Sequence, residues 1–207
     1  MSDLAYDQPL WPRASDNPFK IESQSRLVAR VNFTHDQPWG GYAEGFRRLA
    51  ELGVAHIEQA GHSHDYLVYP IVFGYRHFIE LSLKEIIRNA TRFLDLPVVV
   101  PHIHNLADLW DVAEPLLKEI EPQSDPTYRD VRDCLARLAE LDPISECFRY
   151  PVKRNGDATL PPDLKNLDLG QVRDIVERLG SFLDAVAMHT SVLLDYKTEI
   201  ETAYDHY

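Results

Sequence analysis

One charged row on a predicted helix carries the side chains best suited to holding an anion. Arg76, Glu80 and Lys84 are spaced by four residues, which places them on one helix face, and His77 directly follows Arg76. A guanidinium group fits the geometry of a phosphate. This face could therefore form one wall of a polar pocket.

A second polar set lies in the segment Phe148-Arg149-Tyr150-Pro151. Pro151 restricts the backbone of this turn, so Arg149 has one anchored direction, and Tyr150 offers a face on which a base can stack. Arg149 would then pair with Glu80 or hold the phosphate of a ligand. The sequence thus predicts a single cleft. Its ligand-binding residues are Arg76, His77, Glu80, Lys84, Arg149 and Tyr150.

The same residues also have a purely structural interpretation. Arg76, Glu80 and Lys84 would form a solvated row of ion pairs worth a few tenths of a kcal/mol each. Arg149 would anchor its loop to the carboxyl end of a helix. We prefer the structural interpretation for Arg76 and Lys84. For the turn at 148–151 both interpretations stay open, because a loop that returns to a core helix often builds a cleft.

Four histidines form two close pairs, His62 with His64 and His102 with His104. Together with Asp65 they would offer enough nitrogen and oxygen ligands for zinc, iron or nickel. The spacing is unspecific, because no His-Glu-x-x-His motif is present. A metal site is therefore an alternative that we do not favour, and no cofactor is expected. His104 also suits the cap position at a helix start.

Other catalytic chemistry lacks support in the sequence. The chain has no Gly-rich phosphate loop and no Gly-x-Ser-x-Gly elbow, and neither Cys134 nor Cys147 has a histidine at a family-typical spacing. Catalytic residues therefore stay unassigned. Two cysteines are too few for a disulfide scaffold, which favours a reducing cytoplasm.

The net charge restricts the kinds of molecule that the protein can bind. The 33 acidic residues outnumber the 21 basic ones and give a net charge of −12, so broad binding of nucleic acid is not expected. No stretch approaches the roughly 20 apolar residues that cross a bilayer, and the N-terminus, which includes Asp3 and Asp7, does not resemble a signal peptide. We expect a soluble, unexported, cytoplasmic protein without a membrane partner.

Apolar residues that recur at three- and four-residue steps predict five helices. The predicted helices run from after Gly41 to about Ala60 and then over about 65–94, 104–120, 126–141 and 168–204. The second and the fifth carry the longest apolar stripes and should pack at the centre. A length of 207 residues with 44% hydrophobic content suits one helical domain, which we place at 41–207.

Two segments lack helical periodicity. Residues 1–40 should form an irregular N-terminal arm, with a short strand possible over 26–33. Residues 143–166 contain five of the chain's prolines and glycines and should form an excursion before the last helix, with a small hairpin at Asn155-Gly156.

Three features together resemble the HEPN (higher eukaryotes and prokaryotes nucleotide-binding) domains. They are the step from Glu80 to Lys84, the His-x-Leu-x-x-Leu start at 104–109, and the Arg-Tyr-Pro turn at 149–151. The resemblance covers roughly residues 42–200 and implies an all-α, five-helix, up-and-down bundle. It also implies a nucleotide or RNA at a local site, and a stress, defence or toxin-antitoxin context. A homodimer is expected, because such domains commonly pair and Trp11, Phe19 and Trp39 offer apolar surface.

Many HEPN proteins that resemble this chain are ribonucleases, marked by an arginine followed four to six residues later by a histidine near the end of the bundle. Here Arg178 and His189 are too far apart, which puts that activity in doubt. Arg30 and His35 have the spacing but precede the bundle, so we interpret them as a chance match. We expect a binding or interaction module. The alternatives are a ribonuclease or nucleotide-dependent enzyme with a displaced site, and a metal-dependent hydrolase that uses the paired histidines.

Overall fold

The computed structural model describes residues 11, 14–21, 25–31, 38–98, 100–122 and 126–204. The chain divides into two compact units, 1–35 and 36–207. In the described part of the first unit there is neither a helix nor a strand, so the strand predicted over 26–33 is not formed at 26–31, and residues 32 and 33 lie outside the described residues. Trp11 and Phe19 are 80% and 89% exposed.

The second unit is a bundle of five helices, which confirms the predicted all-α class. The helices are α1 (Pro38–Ala60), α2 (His64–Phe93), α3 (Leu106–Ile120), α4 (Thr127–Leu141) and α5 (Leu169–Tyr204). None of the helices in the described part of the chain is both long enough and apolar enough to cross a bilayer.

Helix α2 is the centre of the bundle, because it packs against α1, α3 and α5, while α4 packs against α3. Its apolar residues at three- and four-residue steps are almost wholly buried. They include Ile71, Tyr75, Phe78, Ile79, Leu83, Ile86 and Ile87. Helix α5 is less central than its apolar stripe suggests, since every residue from Thr198 to Tyr204 is exposed.

Helices α2 and α5 run in the same direction. Phe78 packs against Gly180 near the middle of both helices, and Lys197 of α5 donates to the carbonyl oxygen of Phe93 at the end of α2, at 2.8 Å. A strict up-and-down order of five helices would make this pair antiparallel. The predicted alternation therefore does not extend to α5.

The helix ends agree with local chemistry. Gly61 follows α1 in the left-handed region, with a φ of 69°, and its N–H donates to the carbonyl oxygen of Ile57. Asn105, and not His104, caps α3, because its side chain accepts from the backbone N–H groups of Ala107 and Asp108 at 2.9 and 3.2 Å.

The segment between α4 and α5 is irregular, as predicted. Val152 and Ala158 form an isolated antiparallel bridge, and Gly156 between them has a φ of 90°. The backbone N–H of Lys153 donates to the carbonyl oxygen of Asp157 at 2.7 Å. This is the small turn expected at Asn155-Gly156.

Candidate functional site

The charged row of α2 is buried and not solvated, which corrects our preferred structural interpretation. Arg76, Glu80 and Lys84 are only 3%, 2% and 8% exposed. Glu80 accepts from Arg76 Nη1 through Oε2 at 3.0 Å and from Lys84 Nζ through Oε1 at 2.8 Å. The i, i+4 spacing placed these residues together correctly, but other segments of the chain cover them.

Arg76 binds two of the segments that cover the charged row. Its Nη2 donates to the carbonyl oxygen of His104 at 2.5 Å, just before α3, and to that of Asp142 at 3.0 Å, at the end of α4. Exposed His104 completes the cluster through Nδ1, which lies 2.9 Å from Glu80 Oε1. Arg76 thus anchors the carboxyl end of α4, a role that one of the two open interpretations gave to Arg149.

The charges of this cluster balance within the core. Burial by itself would raise the pKa of Glu80, but hydrogen bonds from Lys84 and His104 outweigh it and hold the pKa below its usual value. Asp142 accepts from the backbone N–H groups of Glu146 and Cys147 through Oδ1, at 2.8 and 3.2 Å, and its Oδ2 lies 3.5 Å from Arg76 Nε. This polar cluster therefore joins three parts of the fold and leaves little capacity for a ligand.

Arg149 is separate from that cluster and does not pair with Glu80. Its guanidinium lies 5.6 Å from the ring centre of Phe73 and 5.2 Å from that of Tyr150. Its hydrogen bonds are long, at 3.5 Å to the carbonyl oxygen of Ser145 and 3.3 Å to the hydroxyl of Tyr150. No carboxylate in the described part of the chain forms an ion pair with Arg149, which is exposed.

His77 lies between the buried cluster and Arg149. Its ring stacks on Phe73 at a centroid distance of 5.4 Å and meets the edge of Phe46 at 4.5 Å. Burial lowers the pKa of His77, and the nearby cations of Lys84, Arg76 and Arg149 lower it further against the opposing charge of Glu80. The imidazole is therefore held in its neutral form at neutral pH.

A cavity of about 320 Å³ opens beside Arg149 and Tyr150. Phe148 is buried and forms part of its lining, while Tyr69 and Tyr150 are about half exposed. Thr159 fixes the turn, because its hydroxyl donates to the carbonyl oxygen of Tyr150 at 2.5 Å. Beneath it, the buried thiol of Cys147 lies 3.3 Å from the carbonyl oxygens of both Leu141 and Thr159.

A larger cavity of about 600 Å³ adjoins the first one. Tyr69, Phe148 and Leu160 line both cavities. The larger cavity lies between the end of α1, the start of α2 and the start of α5. Its other lining residues are Val54, Ile57, Glu58, His64, Asp65, Val68, Leu164, Lys165, Asn166, Leu167, Asp168, Leu169 and Gly170.

The paired histidines are not brought together as a metal centre. His62 bonds to the hydroxyl of Ser63 at 2.7 Å and meets the ring of His56, whereas His104 bonds to Glu80. No group of three or more histidine, cysteine, aspartate or glutamate side chains within the described residues is arranged to hold a metal ion. The alternative set of His62, His64, His102 and His104 is therefore not assembled.

Sequence reasoning missed three contributors to these sites. Asp142 follows the predicted end of the fourth helix, where an aspartate can accept hydrogen bonds from the following turn. Phe73 lies one helical step before His77, and that aromatic spacing was the available signal. The role of His104 as a partner of Glu80 had no local signal, since 24 residues separate them.

No protein-family model, no curated protein and no solved structure matches the chain. The chemistry of Arg149, Tyr150 and the two adjoining cavities therefore carries the functional proposal.

Proposed function

We propose that the protein is a helical binding or interaction module, similar to HEPN domains but without their usual ribonuclease motif, that binds a small anionic ligand at Arg149 and Tyr150. The observation that carries the proposal is the exposed guanidinium of Arg149, which lies over two aromatic rings without an acidic partner among the described residues. A nucleotide is the ligand class that the resemblance implies.

Arg149 differs from those arginines of the bundle that pair with a carboxylate. At a net charge of −12, acidic side chains are abundant, and Arg47, Arg48, Arg76, Arg132 and Arg173 each form an ion pair with one. Arg149 keeps only long hydrogen bonds, so its donors are available to a phosphate or a carboxylate. The ring of Tyr150 beside it offers a stacking face for a base.

The setting of this module follows from the resemblance and is part of the proposal. It is a cytoplasmic, prokaryotic stress, defence or toxin-antitoxin context, with the protein acting as a homodimer. One observation supports pairing: α5 carries a row of exposed apolar side chains at four-residue steps. They are Met188, Val192, Tyr196, Ile200 and Tyr204.

Calorimetric titration with nucleoside mono- and triphosphates and with inorganic phosphate tests the binding site. We expect Arg149→Gln to weaken binding by about tenfold or more, which corresponds to the loss of one charge-assisted hydrogen bond. Arg154→Gln is the matched control, because Arg154 is an exposed arginine of the same excursion and lines neither cavity. Equal affinities of wild type and Arg149→Gln, or no binding of any anion, would contradict the proposal.

A second candidate, an enzyme with a displaced site, is favoured by the contact between Glu80 and His104. A buried carboxylate that holds one nitrogen of an exposed imidazole is the arrangement in which histidine acts as a general base. RNA cleavage by the wild type that is lost in His104→Ala, while the fold is retained, would establish this candidate. Cleavage that His104→Ala leaves unchanged would remove it.

A further inference from the structure

We infer that the ligand held at Arg149 is an amphiphile with its negative charge at one end only, and that its apolar body fills the larger cavity. The inference rests on the anion site of the proposed function and narrows the class of ligand. It is drawn from the lining residues that the two cavities share and from the charged residues among them.

The two cavities are continuous in their lining. Phe148, which is 6% exposed, contributes to both, and so do Tyr69 and Leu160. A ligand whose charged group meets Arg149 would reach the larger cavity by extending past Tyr69. The volume of the larger cavity, about 600 Å³, is within the range of about 300–1,000 Å³ that is typical of ligand sites.

Apolar side chains from three segments contribute to the lining of the larger cavity. Val54 and Ile57 come from α1, Val68 from α2, and Leu164 and Leu167 from the excursion. Each methylene buried on such a surface tightens binding by about two- to fourfold, as apolar area leaves water. This lining suits a hydrocarbon chain or another uncharged apolar body.

Acidic side chains in the lining of the larger cavity disfavour a second negative charge. Glu58, Asp65 and Asp168 line it, against the single ammonium group of Lys165. Glu58 pairs with Arg173 at 2.6 Å, and Asp168 accepts from the backbone N–H of Gln171 at 3.1 Å, so both carboxylates are held in place. A polyphosphate or an RNA strand that continued from Arg149 would meet these carboxylates, whereas a neutral apolar chain would not.

The inference is tested by titrating the full chain with butyl, octyl and dodecyl phosphate below their micelle concentrations. Affinity should rise by about two- to fourfold per methylene over this series. An uncharged alkyl glycoside of the same chain length should bind much more weakly, because it has no anion for Arg149. Arg149→Gln should weaken all three phosphates, and Arg154→Gln none of them.

Leu164→Trp and Leu164→Glu test the larger cavity. Leu164 is half-buried and belongs to neither hydrophobic core cluster, so both variants should fold. We expect them to remove the dependence on chain length and to leave the affinity for butyl phosphate within about twofold. Affinity that depends on Arg149 but not on chain length would overturn this inference and leave the proposed function standing. An absence of binding by every phosphate would overturn both.

Discussion

Nη1 of Arg76 lies 3.0 Å from Oε2 of Glu80, and both side chains are almost wholly inside the protein. The same guanidinium reaches the carbonyl oxygens of His104 and Asp142. One side chain of α2 thereby holds the start of α3 and the end of α4. The pair therefore connects three helices, and its removal should destabilise the whole bundle.

Arg76→Met should lower the free energy of unfolding by about 3–5 kcal/mol, because it leaves a buried carboxylate and two buried carbonyl groups short of a partner. Arg48→Met is the matched control, since Arg48 is 72% exposed and pairs with Glu44 at 2.6 Å on the surface. It should cost less than about 1 kcal/mol. Urea unfolding of both variants checks this, and a similar small loss in each would contradict the role assigned to Arg76.

Glu80 should make the fold sensitive to acid. Burial raises its pKa, but the bonds from Lys84 and His104 lower it more, so the net shift is downward. A carboxylate whose pKa is lower in the folded state stabilises the fold above its ordinary pKa, and this stability is lost as the pH falls through the folded value. Unfolding free energies measured from about pH 7 to about pH 3 should fall, and Glu80→Gln should reduce that slope.

Glu85 offers a control of the opposite sign on the same helix. Burial raises its pKa, and Asp184 adds to the rise. Its stabilising effect is therefore present at low pH and lost as the pH rises through the folded value. Glu85→Gln should leave neutral-pH stability unchanged or increase it, whereas Glu80→Gln should decrease it. Equal effects of the two substitutions at neutral pH would refute this assignment.

Most helix ends were predictable to within two residues because the apolar period is a local property of the sequence. The start of α1 was missed. Gly40 and Gly41 were interpreted as a break, whereas Gly40 lies against the carboxylate of Glu85, a neighbour on α2 that no local pattern reveals. Helix α1 can therefore begin at Pro38.

The burial of the charged row was unpredictable for the same reason. Spacing shows that Arg76, Glu80 and Lys84 share a face, but not that residues 104 and 142 cover it. The sequence indicated a cleft at the Arg149 turn through Tyr150 and Pro151 and left open a structural role for Arg149. Phe73 of α2 contacts Arg149 because the chain after α4 returns to α2, and the sequence does not show that path.

Two glycines of α1 should respond oppositely to alanine. A Cβ on Gly53 would lie 2.7 Å from Cγ1 of buried Ile71, so Gly53→Ala should cost about 1–3 kcal/mol through overpacking. Gly45 has no atom within 4 Å of such a Cβ, so Gly45→Ala should stabilise the helix by about 0.5–1 kcal/mol. Thermal unfolding distinguishes the two, and a destabilised Gly45→Ala would show that the face around it is covered.

The exposed apolar row of α5 should control self-association. We expect light scattering to show a dimer at micromolar concentration for the wild type and a monomer for Val192→Glu with Ile200→Glu, because charges would replace apolar contacts. Leu52→Glu is the control, since Leu52 is more exposed than either residue but lies on α1. A monomeric wild type would rule out the expected homodimer.

The reactivity of the buried Cys147 thiol should report how often residues 143–166 open. Burial raises its pKa to about 11, so the reactive thiolate is scarce while the segment is closed. Alkylation of Cys147 should therefore proceed only through transient opening of residues 143–166, at a rate set by how often that segment leaves the bundle. A ligand that bridges Arg149 and the larger cavity would slow that opening. The labelling rate of Cys147, measured by mass spectrometry, would therefore report how fast the binding site opens.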